Sequence, residues 1–127
     1  MSNIVHNHVT LPRDVYYEIR AIVKSYEDLK LQRHAILNAT AAPSGTPGGS
    51  GKIPDPTGET AARLENVTRK IRAIESSINR IEAAYRKGVW NNCLHGSRFP
   101  SYADKKTWYE YKRDFFYYIA EDLGILN

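Results

Sequence analysis

Apolar residues recur along this chain in three helical rhythms, broken by one stretch that has no rhythm. After Leu11 and Pro12, the positions Val15, Ile19, Ile22, Tyr26, Leu29 and Ile36 mark a heptad seam with Arg33 at its one polar place. Pro12 suits a first helical turn, where its missing N–H would have no partner anyway. The spacing predicts a helix from about Pro12 to about Asn38. A second seam, Leu64, Val67, Ile71, Ile74, Ile78, Ile81 and Tyr85, alternates steps of three and four without a miss. It predicts a second long helix, with Gly88 as its end. The third rhythm is Trp108, Tyr111, Phe115, Ile119 and Leu123, with Lys105, Lys106, Tyr109, Lys112 and Arg113 around the other side.

Two helices of matching length joined by one loop predict an antiparallel hairpin. Such a hairpin buries one stripe of each helix and needs a further layer or a second chain. The C-terminal helices supply the first, and a homodimer or higher oligomer the second. The joining stretch, Thr40 to Gly58, is dense in glycine and proline and too poor in apolar residues to pack, so it reads as a flexible loop. Thr57 is placed to cap the second helix, with Glu59 in its first turn. Residues 1–11, where valine, isoleucine and histidine nearly alternate, read as a short strand or an ordered arm. Between Gly88 and the last helix lie Val89, Trp90 and Leu94, the turn His95-Gly96-Ser97, and Phe99-Pro100-Ser101. Ser101 is placed to cap a single turn holding Tyr102 and Ala103. The fold class expected is all-α: an N-terminal arm (1–11), a helical hairpin (12–88) with its loop at 40–58, and a compact C-terminal helical unit (89–127).

With 42% hydrophobic and 25% charged residues the chain has the make-up of a folded domain. The net charge of +4 is mild, but it is unevenly spread. Residues 86–113 hold seven Lys/Arg against two Asp/Glu, whereas 114–127 hold three acidic residues and no basic one. A positive field gathered at the start of the last helix favours a polyanionic partner. The single cysteine, Cys93, excludes an internal disulfide and fits a reducing compartment. No stretch is apolar enough to span a bilayer and no secretory signal opens the chain, so a cytoplasmic location is expected, without membrane partners.

Few residues point to chemistry. The pairs His6/His8 and Cys93/His95 lack zinc-ligand spacing, and surface histidines with a half-buried thiol explain them better. Cys93 has no context of an activated nucleophile. The glycines of GTPGGSGK lack the P-loop spacing and follow no strand. Paired carboxylates such as Glu27-Asp28 and Glu121-Asp122 read as solvated helix faces. No enzyme, cofactor or metal is expected. The aromatic residues crowd the C-terminal end: Tyr102, Trp108, Tyr109, Tyr111, Phe115, Phe116, Tyr117 and Tyr118 are too many for one stripe. Tyr109 and Tyr117, off the stripe, are expected to be exposed.

The order of features resembles the small ArpU/RinA-type late transcriptional regulators of Gram-positive phages and prophages. The resemblance rests on the loop ending Asp55-Pro56-Thr57-Gly58, the run Tyr85-Arg86-Lys87-Gly88-Val89-Trp90, and the terminal Thr107-Trp108-Tyr109 with Tyr111-Lys112 and Phe115. It covers the chain from about Leu11 to Leu126. It implies a C-terminal helix-turn-helix similar to the promoter-reading domain of sigma factors, and activation of phage late genes in the bacterial host. The recognition helix then maps to about Lys105–Leu123, with Arg98, Lys105, Lys106, Thr107, Tyr109, Lys112 and Arg113 toward DNA. Arg113 is the forked donor able to grip guanine, and Glu110 interrupts the basic face. The partners implied are double-stranded DNA and host RNA polymerase. Two other functions compete: a protein-interaction module, for assembly or as an anti-host adaptor, that uses the hairpin, and a small terminase-like DNA-packaging subunit.

Overall fold

The computed structural model describes residues 11–40 and 58–125; the expectations for residues 1–10 with their histidines and for 41–57, the Thr57 cap included, fall outside them, while Thr40 and Gly58, expected in the loop, belong to helices. Five helices follow in order: α1 (Arg13–Lys24), α2 (Tyr26–Thr40), α3 (Gly58–Ile78), α4 (Ala83–His95) and α5 (Lys105–Asp122). Among the described residues there is no strand, and the all-α class holds.

The first expected helix is two. At Ser25 the backbone N–H reaches the carbonyls of both Ala21 and Ile22, and the Ser25 hydroxyl donates to Ala21 O at 2.8 Å. A serine that bonds back to the preceding turn competes with the regular ladder and bends a helix. The bend lets one seam serve two neighbours: α1 packs on α4 and α5, while α2 packs chiefly on α3. Ile19 and Val23 are fully buried on α1, and Tyr26, Leu29 and Ile36 are buried on α2. Tyr26, at the start of α2, donates to Glu75 near the end of α3, so α2 and α3 form the antiparallel hairpin.

The second expected helix also stops early. α3 ends at Ile78, Asn79–Glu82 turn the chain, and α4 begins at Ala83. The seam carries across the break because Ile81 stays buried in the turn and Tyr85 half-buried on α4. What fixes the corner is Arg86. Its guanidinium donates to the carbonyl of Ile78, the last residue of α3, and to those of Asn79 and Ile81 in the turn that follows. Charged donors on such carbonyls suit the negative end of the helix dipole.

Gly88 therefore ends nothing; it sits buried inside α4. Its lack of a side chain lets the Trp108 ring lie against the helix backbone. A Cβ built there would stand 2.6 Å from Cη2 and Cζ3 of Trp108 and 3.0 Å from Cδ of Pro100. α4 itself stops at a left-handed residue, Gly96, where φ is 72°.

α5 is the central helix of the C-terminal unit, in contact with α1, α3 and α4. Trp108, Phe115, Phe116, Ile119 and Ala120 are almost wholly buried on it, and so are Tyr111 and Asp114. Of the stripe foreseen from Trp108, Tyr111, Phe115, Ile119 and Leu123, the first four are buried as expected and Leu123, just past the end of α5, is half-buried, while Phe116, Ala120 and Asp114 widen the stripe around the helix. The cause is the third layer: α1 covers a side of α5 that a hairpin alone would leave open, as the Tyr16–Phe116 ring contact (5.2 Å between centroids) records.

Candidate nucleic-acid interface

α5 starts at a well-made cap. Asp104 has extended backbone angles and its carboxylate accepts from the Thr107 N–H at 3.0 Å. The hydrogen bonds from Thr107, side chain first and then backbone, hold the Asp104 carboxyl below its usual range. The approach to this cap, residues 96–104, is non-helical but closely tied. Gly96 and Ser97 N–H groups return to the carbonyls of Asn92 and Asn91, and the Asn92 amide donates to Ser97 O at 2.8 Å. Trp108 Nε1 donates to Pro100 O at 3.0 Å, and the Tyr102 hydroxyl donates to Ala84 O at 2.7 Å. Ser101 and Tyr102 form a turn and Ala103 a bend, with no helix between α4 and α5. The nine residues between α4 and α5 replace the three or four of a helix-turn-helix corner.

Aromatic rings stiffen this connection. Phe99 stacks on Trp108 with centroids 5.2 Å apart and planes 5° from parallel, and Tyr109 stands perpendicular to Phe99 at 5.5 Å. On the other side, Tyr85 stacks on Tyr111 at 4.3 Å and meets Trp108 edge-on. The Tyr111 hydroxyl donates to Glu82 at 2.7 Å; burial first, then that bond, pushes its ionisation well above the ordinary phenol value.

Around the cap lies an open groove of about 810 Å³. Arg98, Phe99, Pro100, Lys105, Trp108 and Tyr109 line it, with Asn92, Ser97 and Ser101 as neutral polar groups and Asp104 as its one carboxylate. Of the seven residues expected toward DNA, the fold brings three, Arg98, Lys105 and Tyr109, to this groove. Lys106 is exposed in the same helical turn, and Thr107 is half-buried beside the cap. Tyr109 is 56% exposed, as foreseen, whereas Tyr117 is half-buried.

Lys112 and Arg113 stand elsewhere. Both are half-buried; the Lys112 ammonium lies 5.8 Å from the Phe116 ring centroid, and Arg113 Nε is shielded with no hydrogen-bond partner. From Glu110 to Ala120, α5 has no exposed residue. The basic face that is fully exposed therefore shrinks to the first turn, because α1, α3 and α4 all pack on α5.

Phe99, Asn92 and Ser97 were not singled out from the sequence. Their signal is faint: an aromatic residue before proline, and an asparagine one turn before a glycine cap. Cys93 is buried, and burial pushes its thiol up to about 12, so it stays protonated at neutral pH. Among the described residues no three His, Cys, Asp or Glu side chains are grouped to hold a metal ion, and no helix is long and apolar enough to cross a membrane. A second groove, about 590 Å³ between α3 and the end of α5, mixes Arg69 and Arg72 with Glu75 and Asp122 and has no single sign. Compared with known proteins, the chain matches no family model, no curated protein and no solved structure.

Proposed function

We propose that this chain is a non-enzymatic DNA-binding regulator of the phage or prophage kind its sequence resembles, acting through the first turn of α5 and the connection before it. The observation that carries the reading is the gathering of Arg98, Lys105 and Tyr109 around one groove, with Lys106 exposed in the same turn. Phosphate contacts position a protein on DNA, and solvent-exposed cations on a rigid frame are what such contacts need. The frame here is held by the Asp104 cap, the Trp108–Pro100 bond and the Phe99–Trp108 stack. A helix that engages DNA by its N-terminal residues needs only its first turn free.

Gel-shift titrations over a salt series test the reading, with DNA from the gene's own neighbourhood as probe. Three exposed cations, at about 0.9 ions each on duplex, give log affinity against log salt a slope near −3 per protomer. Replacing Lys105 and Lys106 together should flatten it by about 2. Absence of binding at low salt to this DNA, as duplex and as separated strands, removes the proposal.

A protein-interaction module is the second reading, and one observation favours it: the body of α5 is covered from Glu110 to Ala120, which leaves little helix to lay in a groove of duplex DNA. Under that reading the hairpin captures a partner chain, and no salt-dependent DNA binding is seen.

A further inference from the structure

We infer that the groove beside the α5 cap takes an unstacked nucleotide, its base against the Tyr109 ring and its phosphates between Arg98 and Lys105, so that opened or single-stranded DNA is preferred to closed duplex. The inference rests on the DNA-binding reading above and sharpens it. A duplex is read by a convex element laid into its groove. This chain offers a concavity, because no residue of α5 from Glu110 to Ala120 is exposed and the 96–104 connection lines one groove together with Lys105, Trp108 and Tyr109.

The lining has the two components that single-strand sites combine, cations that follow the backbone and rings on which bases stack. Arg98 and Lys105 supply the first. For the second, Tyr109 is 56% exposed yet held perpendicular to Phe99, which is itself stacked on the fully buried Trp108. A ring already fixed loses little freedom when a base joins it. Guanidinium groups also stack on bases, so Arg98 can serve in both ways. The groove's one carboxylate, Asp104, is turned to its own helix through the Thr107 N–H. Space is ample: about 810 Å³ falls within the size of pockets that take drug-sized ligands.

The test is fluorescence anisotropy at low salt with the full chain and two labelled probes. One is an oligodeoxythymidine longer than the ~16 nucleotides at the upper end of known single-strand site sizes; the other is a blunt duplex of the same length. The oligonucleotide should bind at least about tenfold tighter. Tyr109→Ala should weaken oligonucleotide binding by a factor of about 5 to 150, the range found when one stacking ring is removed, and by more than it weakens duplex binding. Tyr109→Phe should bind like the parent chain. Tyr109→Leu keeps bulk against Phe99 without an aromatic face, so it should lose as much as alanine and guards against a misfolded alanine variant. Duplex bound as tightly as the oligonucleotide, or equal losses on both probes, would overturn the inference while leaving DNA binding in place. Failure of both probes to bind would remove the DNA-binding reading, and the inference with it.

Discussion

Gly88→Ala is the substitution on which the account of the C-terminal unit depends most. Viewed as a helix position, it should stabilise, since alanine is favoured over glycine in a helix interior by about 1 kcal/mol. Packing says the opposite. The new Cβ would meet two Trp108 ring carbons at 2.6 Å, about 1 Å inside the ~3.5–4.0 Å contact distance of carbon atoms. Trp108 has no easy retreat: it is fully buried, stacked under Phe99, edge-on to Tyr85 and Tyr102, and tied to Pro100 O. Pro100 itself lies 3.0 Å from the added carbon, so ring and anchor are pressed together. Overpacking of this kind costs about 1–3 kcal/mol, and loosening the indole bond adds about 1 more. After the propensity gain the net loss should be about 1–3 kcal/mol, a fall of several degrees in Tm. Urea titration followed by circular dichroism measures it, and Gly58→Ala, where no atom lies within 4 Å, is the control expected to lose nothing. A Gly88→Ala chain as stable as the parent, or more so, would mean that Trp108 is not seated on α4, and the groove built on that seat would fall with it.

Other outcomes follow from buried groups. Ile74, fully buried on α3, becomes an unpaired buried charge in Ile74→Asp; the hairpin should lose several kcal/mol, and an unchanged denaturation midpoint would refute the seam. Tyr26, Tyr111 and Tyr118 have raised ionisation, desolvation being the first cause in each. The unfolded chain therefore gives up phenolic protons above the ordinary value of 10.0 while the folded chain keeps them, so stability should be level below that pH and fall above it. Phenolate absorbance that rises at the ordinary value for every tyrosine, with no alkaline unfolding, would contradict this. Cys93, protonated and buried, should react with a thiol reagent only after urea is added; rapid labelling of the native chain would show that α4 opens.

The seams made the all-α class and the hairpin legible, because the apolar period survives every break in the backbone. The breaks themselves were hidden for the same reason. Ile81 and Tyr85 keep the rhythm of Ile74 and Ile78 although a turn separates them, and nothing in a one-dimensional period reports that Arg86 has gathered the carbonyls at the corner after α3. Gly88 reads as a stop in the sequence, since a buried glycine and a terminal one look alike until the Trp108 ring is seen against it. At the candidate interface, Arg98, Lys105 and Tyr109 could be found from the charge run and from their distance from the stripe. Lys112 and Arg113 share those signs, and what sets them apart is the covering of α5 by its neighbours, a tertiary fact that helical spacing does not carry.

The bend at Ser25 separates two tasks along one seam. α1 belongs with α4 and α5, which hold the groove, whereas α2 pairs chiefly with the long α3 and leads away to Thr40 and Gly58. The outer parts of α2 and α3 thus form a ruler whose length is independent of what lies at its base. Adding one heptad to each, in register, would carry the Thr40 and Gly58 ends about 10 Å farther out while every contact around Trp108 stayed as it is. Lineages of this chain are then free to change reach in seven-residue steps, and length differences should fall in α2 and α3 together, never between Gly88 and Trp108.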